Sequence, residues 1–320
     1  MMEDEVWQAT NLAGPHVSGY MHPAYAAALG EFGSPLELPG SGGWVLQRAI
    51  PGSRYRDAMG CYPLFSCPDW SQLGSDLQEL AEANDLVSLA VVTDPFGAYD
   101  PATLEACFVD TVIPFKQHFV VDLQQPLDEF VHPHHRRNAR KALQNLTVER
   151  CSQPLEFLDQ WTELYQGLAE RHGISGLTAF SRESFAGQLA VPGLVAFRAH
   201  CDDSTVGMLL WYVQGDIAYY HLGAYSARGY DLRASFALFS QAIEYFAAQR
   251  LQWLNLGGAA GTGDGQTSGL GRFKEGWSTG VRTAYFCGRI LDPVKYEVLV
   301  RAKRVGSTDY FPAYRLGEFG

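Results

Sequence analysis

The densest run of chemistry-bearing side chains is His132-Pro133-His134-His135-Arg136-Arg137-Asn138-Ala139-Arg140-Lys141-Ala142. Its three histidines invite a metal ion, but four neighbouring cations would repel a divalent cation and the segment offers no carboxylate, so no metal site is expected. Wound as a helix, it sets Arg136 with Arg140 on one face and Arg137 with Lys141 on the next. Those two cationic stripes suit an anion; a solvated helix carrying ion pairs would look the same. Gly276-Trp277-Ser278-Thr279-Gly280 matches the G-x-S-x-G nucleophile elbow, which needs a helix after the serine. Here Val281 to Phe286 reads as a strand, so the match is accidental. Gly257 to Gly265 is glycine-rich and follows a strand, yet no Gly-Lys-Ser/Thr and no helix end it; a loop at the edge of a site fits better than a phosphate cradle. The six cysteines are scattered without C-x-x-C spacing and read as buried thiols.

The chain that must position these groups has 320 residues, of which 47% are hydrophobic, 13% aromatic and 18% charged. That composition supports a folded core and excludes general disorder, and the length suits two domains. A net charge of −11 has the wrong sign for non-specific duplex DNA binding, so only a local basic patch could hold nucleic acid. No apolar run reaches the roughly 18 residues of a membrane helix, and the acidic start Met1-Met2-Glu3-Asp4-Glu5 is unlike a signal peptide. A soluble, cytoplasmic protein is expected.

Three apolar runs, Leu194–Ala199, Val206–Val213 and Ile217–Leu222, are separated by Asp202-Asp203-Ser204 and Gln214-Gly215-Asp216 and predict an antiparallel meander. A polar link, Ser226 to Arg233, follows. Phe236, Phe239, Ile243 and Phe246 then recur at helical spacing over Ser235 to Arg250, with Ser235 as N-cap, before the short strand Trp253–Leu256. The first half repeats the plan in shortened form. A hairpin is predicted from Trp44–Arg48 and Met59–Phe65, a helix over Ser75–Asp85, and strands at Val87–Thr93 and Phe119–Leu123. The expected class is α+β: two similar lobes, each a mixed, largely antiparallel sheet flanked by helices. The boundary falls between Gln125 and Pro133, giving an N-terminal lobe over 1–132 and a C-terminal lobe over 133–320 whose tail can pack back on the first.

Several of these segments together resemble the Fem-type branch of the GNAT acyltransferase superfamily. They are the basic helix start, the tyrosine-rich strand before the long helix, Leu256-Gly257-Gly258, Gly269-Leu270-Gly271-Arg272-Phe273-Lys274-Glu275-Gly276-Trp277, the closing Tyr310-Phe311-Pro312-Ala313-Tyr314-Arg315, and upstream Asp57-Ala58 with Tyr62-Pro63-Leu64-Phe65. The resemblance implies two GNAT-like lobes with a cleft between them and transfer of an acyl or aminoacyl group to an amine. It implies that Lys274, beside Phe273, lies near the donor ester and stabilises the developing oxyanion; a lysine on an exposed surface loop is the bland alternative. It places the donor along the strand Ile217 to Ser226, with Gly223, Arg228, Tyr230, Arg233 and Ser235 around a helix N-terminus that would hold a donor phosphate. Tyr62, Arg171 and His172 become candidates for the acceptor pocket, although Arg171 could equally serve as a helix C-terminal cation.

The strand facing the cleft has no acidic residue, so a protein-supplied proton acceptor is expected to be His221 or Tyr220. Successive strand residues point to opposite faces, so one of the two is core. Acyl-CoA members usually carry Gln/Arg-x-x-Gly-x-Gly/Ala in the phosphate loop. Asp231 and Arg233 occupy the glycine positions here, which tilts the donor towards aminoacyl-tRNA held by Arg136, Arg137, Arg140 and Lys141. Tyr220-His221-Leu222-Gly223 in turn lacks the second tyrosine of the Tyr-x-Tyr-Gly found in tRNA-dependent members. The expected activity is amide formation by aminoacyl transfer to a peptide-like or small amine, with no permanently bound cofactor. Acyl-CoA-dependent N-acylation is the alternative, and a non-catalytic binding relative the third reading.

Overall fold

The computed structural model describes residues 17–259 and 269–318; the acidic start and residues 260–265 of the glycine-rich run lie outside them. The described strands are β1 (Ser34–Leu38), β2 (Gly43–Ala49), β3 (Arg56–Gly60), β4 (Leu86–Val92), β5 (Thr111–Asp122), β6 (Thr147–Cys151), β7 (Leu194–Cys201), β8 (Ser204–Gln214), β9 (Ile217–Tyr225), β10 (Trp253–Gly258) and β11 (Gly280–Ile290). They form one continuous sheet in the order β1-β2-β3-β4-β11-β5-β10-β9-β8-β7-β6. Only β3/β4 and β9/β10 pair in parallel. The helices are α1 (Pro23–Ala28), α2 (Leu73–Ala83), α3 (Pro101–Cys107), α4 (Leu127–Phe130), α5 (Pro133–Ala142), α6 (Leu158–His172), α7 (Arg182–Leu189), α8 (Ala227–Asp231), α9 (Ala234–Ala248), α10 (Gly269–Glu275) and α11 (Pro293–Ala302). No helix among the described residues is long and apolar enough to cross a membrane.

The α+β class and the mixed sheet flanked by helices are as expected, with both halves of the chain contributing to one sheet. The β7-β8-β9 meander follows the predicted runs because the alternation of β8 serves two cores. Leu209, Trp211 and Val213 join the core beneath α9, whereas Met208, Leu210 and Tyr212 join the core beneath α1, α6 and α7. Fully burying each large side chain of this kind is worth about 1.5–3 kcal/mol.

Four local expectations need correction. The predicted strand Met59–Phe65 stops at Gly60. The predicted strand at Phe119 begins at Thr111, because β11 pairs along β5 from Gly280 to Gly288. The polar link after β9 is helix α8, capped by Ser226 Oγ on Gly229 N at 3.1 Å. Ser235 is not an N-cap: α8 turns into α9 through Arg233 at φ +58°, and Ser235 lies inside the first turn.

The end of the chain packs on the first half of the sheet. Arg315, 4% exposed, meets Asp57, 1% exposed, with Nε and Nη2 at 2.5 and 2.8 Å from the carboxylate oxygens. The Tyr314 hydroxyl donates to the same carboxylate at 3.1 Å, and Arg315 also grips Glu318 and the Ala49 carbonyl. Two segments far apart in sequence, at Asp57 and at Tyr314-Arg315, therefore form one buried contact. Arg315→Ala leaves Asp57 buried with its main counter-charge gone and is expected to cost about 3–5 kcal/mol, read as a lower urea midpoint. Asp57→Ala with Arg315→Ala should cost less than the sum of the single changes; strict additivity would show that the pair does not couple the segments.

Candidate active site

The sheet opens at one place. Parallel β9 and β10 are in register only at Trp253–Ile217, Leu254–Ala218 and Asn255–Tyr219. Beyond that point β10 stays with β5, pairing Gly258 with His118 after an irregularity, while β9 stays with β8. The β8/β9 ladder shifts register between Leu210 and Trp211, which pair with Leu222 and Tyr220. One extra residue in β9 puts His221 and Leu222 on the same face. Tyr220 and Tyr225 then pack on the α9 side, and Gly223 lies between them: a Cβ there would fall 2.6 Å from the Tyr220 hydroxyl oxygen.

Lys274 spans this opening. It comes from α10, is 5% exposed, donates from Nζ to the Gly258 carbonyl on β10 at 2.7 Å, and holds Nζ 5.3 Å from the centroid of the Tyr220 ring on β9. Gly257 has φ +76°, and a Cβ on it would lie 3.2 Å from Nζ, so glycine serves both backbone shape and space. The reading of Lys274 as an exposed loop residue is corrected. Burial, reinforced by the nearby Lys116 cation, lowers its pKa to about 7. The helix bearing it is fixed by α5: His135 Nε2 donates to the Phe273 carbonyl at 2.9 Å, and His132 N donates to the Gly276 carbonyl at 2.9 Å. The His135 ring leaves no room for a side chain at Gly276.

On the opposite side of the opening stand His118, Lys116 and Asn255. Phe119 and Val121 belong to the core beneath α9, so alternation sends His118 and Lys116 to the other face. His118 Nδ1 lies 3.0 Å from Asn255 Oδ1, which also accepts from Gly257 N at 2.8 Å. Burial lowers the His118 pKa to about 4; the Asn255 bond opposes this and the Lys274 and Lys116 charges add to it. Burial also lowers the Lys116 pKa. Sequence reasoning missed all three. The available signals were the polar positions Lys116 and His118 two apart in a strand, and one Asn inside the apolar run Trp253–Leu256.

The other expected residues separate. Tyr220 lies beside Lys274, its phenol pKa pushed up by burial. His221 does not: it is 6% exposed on the opposite face, with Nδ1 at 3.1 Å from Tyr20 Oη and Nε2 at 2.9 Å from Gln188 Oε1. Burial drives its pKa to about 3, and it is a satisfied core histidine. Phe273 packs against Phe236 and Phe239 of α9. Arg228 is exposed and tied to Asp202 at 2.9 Å, and Arg233 is exposed at the α8/α9 junction. Arg171 stacks over the Tyr230 ring at 4.1 Å, joining a residue expected at the acceptor to one expected at the donor; His172 is exposed at the end of α6. Tyr62 packs on Phe180, and its hydroxyl contributes to the raised pKa of Tyr220. Arg137, Arg140 and Lys141 are exposed on α5, whereas Arg136 is half-buried and donates to the Asp128 carbonyl. Among the described residues, no group of three or more His, Cys, Asp or Glu side chains could hold a metal ion. A surface recess of about 600 Å³ beside the Arg315–Asp57 contact contains none of the Lys274 cluster.

A family model described as an acetyltransferase (GNAT) domain matches residues 133–274. The sequence matches no curated protein. Solved structures share the fold at low identity. FemX has 15% identity and a TM-score of 0.60 over 80% of this chain and 86% of that one. L-PGS from Bacillus licheniformis has 14% and 0.59 over 92% and 100%. A C-terminal domain from Agrobacterium fabrum, assigned to a lysylphosphatidylglycerol synthetase, has 16% and 0.59 over 87% and 90%. The family match runs through β9 and β10 and ends on Lys274, so this stretch is similar to a GNAT acetyltransferase domain, and the chain as a whole shares the fold of FemX and L-PGS.

Proposed function

We propose that this protein is an acyltransferase that forms an amide by moving an aminoacyl group from aminoacyl-tRNA to an amine of a peptide-like or small acceptor. The observation that carries the reading is the Lys274 ammonium set across the β9/β10 opening with a pKa of about 7. Ester aminolysis needs alignment, oxyanion stabilisation and proton transfer, and little covalent help. With the ester carbonyl in the opening, the amine attacks the carbonyl carbon and negative charge gathers on the carbonyl oxygen beside Lys274. When the C–O bond breaks, a lysine poised near neutrality can give its proton to the departing oxygen. Tyr62 is proposed to line the acceptor's approach, with Arg171 and His172 at its outer edge.

The backbone around α8 favours tRNA over coenzyme A. A pyrophosphate cradle needs free amides, but Gly229, Tyr230, Leu232, Arg233 and Phe236 already donate to Ser226 Oγ or to backbone carbonyls. The exposed cations Arg137, Arg140 and Lys141 lie on the helix that is hydrogen-bonded to α10. That is a suitable place for an acceptor stem, since binding follows the local field rather than net charge. Acyl-CoA remains a second reading because the N-terminus of α9 is uncapped by any side chain.

Lys274→Ala is expected to lower turnover by about ten- to a thousand-fold, and unchanged turnover in the folded variant would remove Lys274 from the mechanism. Lys274→Met should raise the melting temperature near pH 6–7, because a buried cation gives way to an apolar side chain. The folded pKa lies below the unfolded value, so the unfolded chain binds the extra proton between pH 7 and about 10.4; wild-type stability rises across that window and the gap to the variant should close. A gap independent of pH would contradict the depressed pKa.

For the donor, charge reversal at Arg137 or Lys141 should weaken binding whichever amino acid is carried, and added salt should weaken it steeply. Activity that survives complete RNase digestion with acyl-CoA as sole donor overturns the tRNA reading; Arg228 and Arg233 would then be the charges that matter.

A further inference from the structure

We propose that His118 is the group that takes the proton from the attacking amine, an assignment that rests on reading the Lys274 opening as the acyl-transfer centre. His118 and Lys274 approach that opening from opposite faces of the sheet and meet at one peptide unit. Lys274 Nζ bonds to the Gly258 carbonyl, and a Cβ on Gly258 would lie 3.5 Å from His118 Cδ2. An ester held against Lys274 on the α9 side would thus present its other face to the side where His118 stands.

The tautomer follows from hydrogen-bond bookkeeping. The amide of Gly257 can only donate, so the Asn255 atom 2.8 Å from it is the carbonyl oxygen. That same oxygen lies 3.0 Å from His118 Nδ1, which must therefore carry the hydrogen. The lone pair is left on Nε2, which has no hydrogen-bond partner among the described residues. A histidine whose Nδ1–H is oriented by a third group and whose Nε2 is left open is the arrangement by which general bases are held. His221 is the contrast, with both ring nitrogens occupied.

Burial keeps His118 neutral, and the charges that bear on it are positive: Lys116 from its own strand and Lys274 from α10, while Arg282, its partner across the β5/β11 ladder, sets its guanidinium over the Phe96 and Trp253 rings. The β10 strand offers the neutral Asn255. This would make an imidazolium costly while Lys274 is charged. The two proton transfers remove that conflict. The C–N bond forms as the amine N–H proton passes to His118 Nε2; the C–O bond breaks as the departing oxygen takes its electron pair and a proton from Lys274. One positive charge moves from Lys274 to His118 across Gly258, and the two need not be charged together. Solvent then returns the proton from His118 to Lys274.

The test uses the full-length protein, bulk tRNA charged with labelled amino acids, acetyl-CoA as the other donor, and ethanolamine as acceptor. His118→Asn keeps a donor towards Asn255 and removes Nε2; turnover is expected to fall by about 10²–10⁴-fold. Asn255→Asp keeps both accepted hydrogen bonds and adds a negative charge beside Nδ1, which should raise the pKa of His118. The ratio of its rate to wild type, which cancels the ionisation of ethanolamine, should then fall about tenfold or more from pH 8 to pH 5. Nitrogen-15 NMR of wild type should show the proton on Nδ1. A flat ratio, an Nε2–H tautomer, or His118→Asn within threefold of wild type while Lys274→Ala is inactive would each overturn His118 and leave the site reading standing. Wild type inert with both donors would overturn both.

Discussion

The structure depends on a strand exchange at the centre of the sheet. β11 comes from the end of the chain and lies between β4 and β5; β5 comes from the first half and lies between β11 and β10. Neither half of the sheet is complete without a strand from the other. Each β11 residue is paired on one side or both with residues some 160–200 positions earlier, so the centre closes only when long loops are closed. The Asp57–Arg315 contact secures the segment beyond β11 to the first half, which keeps the exchange from peeling at its free end. The opening at β9/β10 is a direct consequence: β10 is held by β5 along its length, so its departure from β9 is fixed by pairing on its other edge.

Much of the second half was legible because its signals are local. The β7-β8-β9 meander shows as apolar runs divided by turn residues, and α9 shows as aromatic residues at helical spacing. Lys274 was singled out through the order and spacing of the motif around it. The environment of Lys274 was not. Its burial arises from the docking of α10 on α5, through His132 and His135, across some 140 residues of chain. The same holds for His118 and Asn255, whose meaning appears only when β5 and β10 are side by side.

The choice between Tyr220 and His221, left open by the sequence, has a sharper cause. Strict alternation predicts that the two residues face opposite ways, and they do. Which of them faces Lys274 depends on the phase of β9, and the extra residue at His221-Leu222 changes that phase within the strand. Nothing in Tyr220-His221-Leu222-Gly223 marks the bulge; the partner strand β8 does, by pairing Trp211 with Tyr220 and Leu210 with Leu222. Ser235 failed as a cap for a related reason. Side-chain preference favours serine before a helix, but the tight passage from α8 leaves Arg233 in the left-handed region as the last non-helical residue.

Two buried cations show how the same burial leads to opposite ends. For Arg315, burial alone would lower the pKa, but the bonds to Asp57 and Glu318 more than reverse this and hold the guanidinium charged. A permanent charge with a matching carboxylate suits a structural tie. For Lys274, no carboxylate among the described residues is bonded to Nζ; its partners are a carbonyl and an aromatic ring, and its charged neighbour is another lysine. That arrangement costs stability at neutral pH and leaves an amine able to hold or release a proton there. A residue needed only to fix the fold would be served better by a carboxylate partner or by an apolar side chain. The missing counter-charge is explained if the negative charge arrives with the reaction, on the carbonyl oxygen of the ester proposed to bind in the opening between β9 and β10.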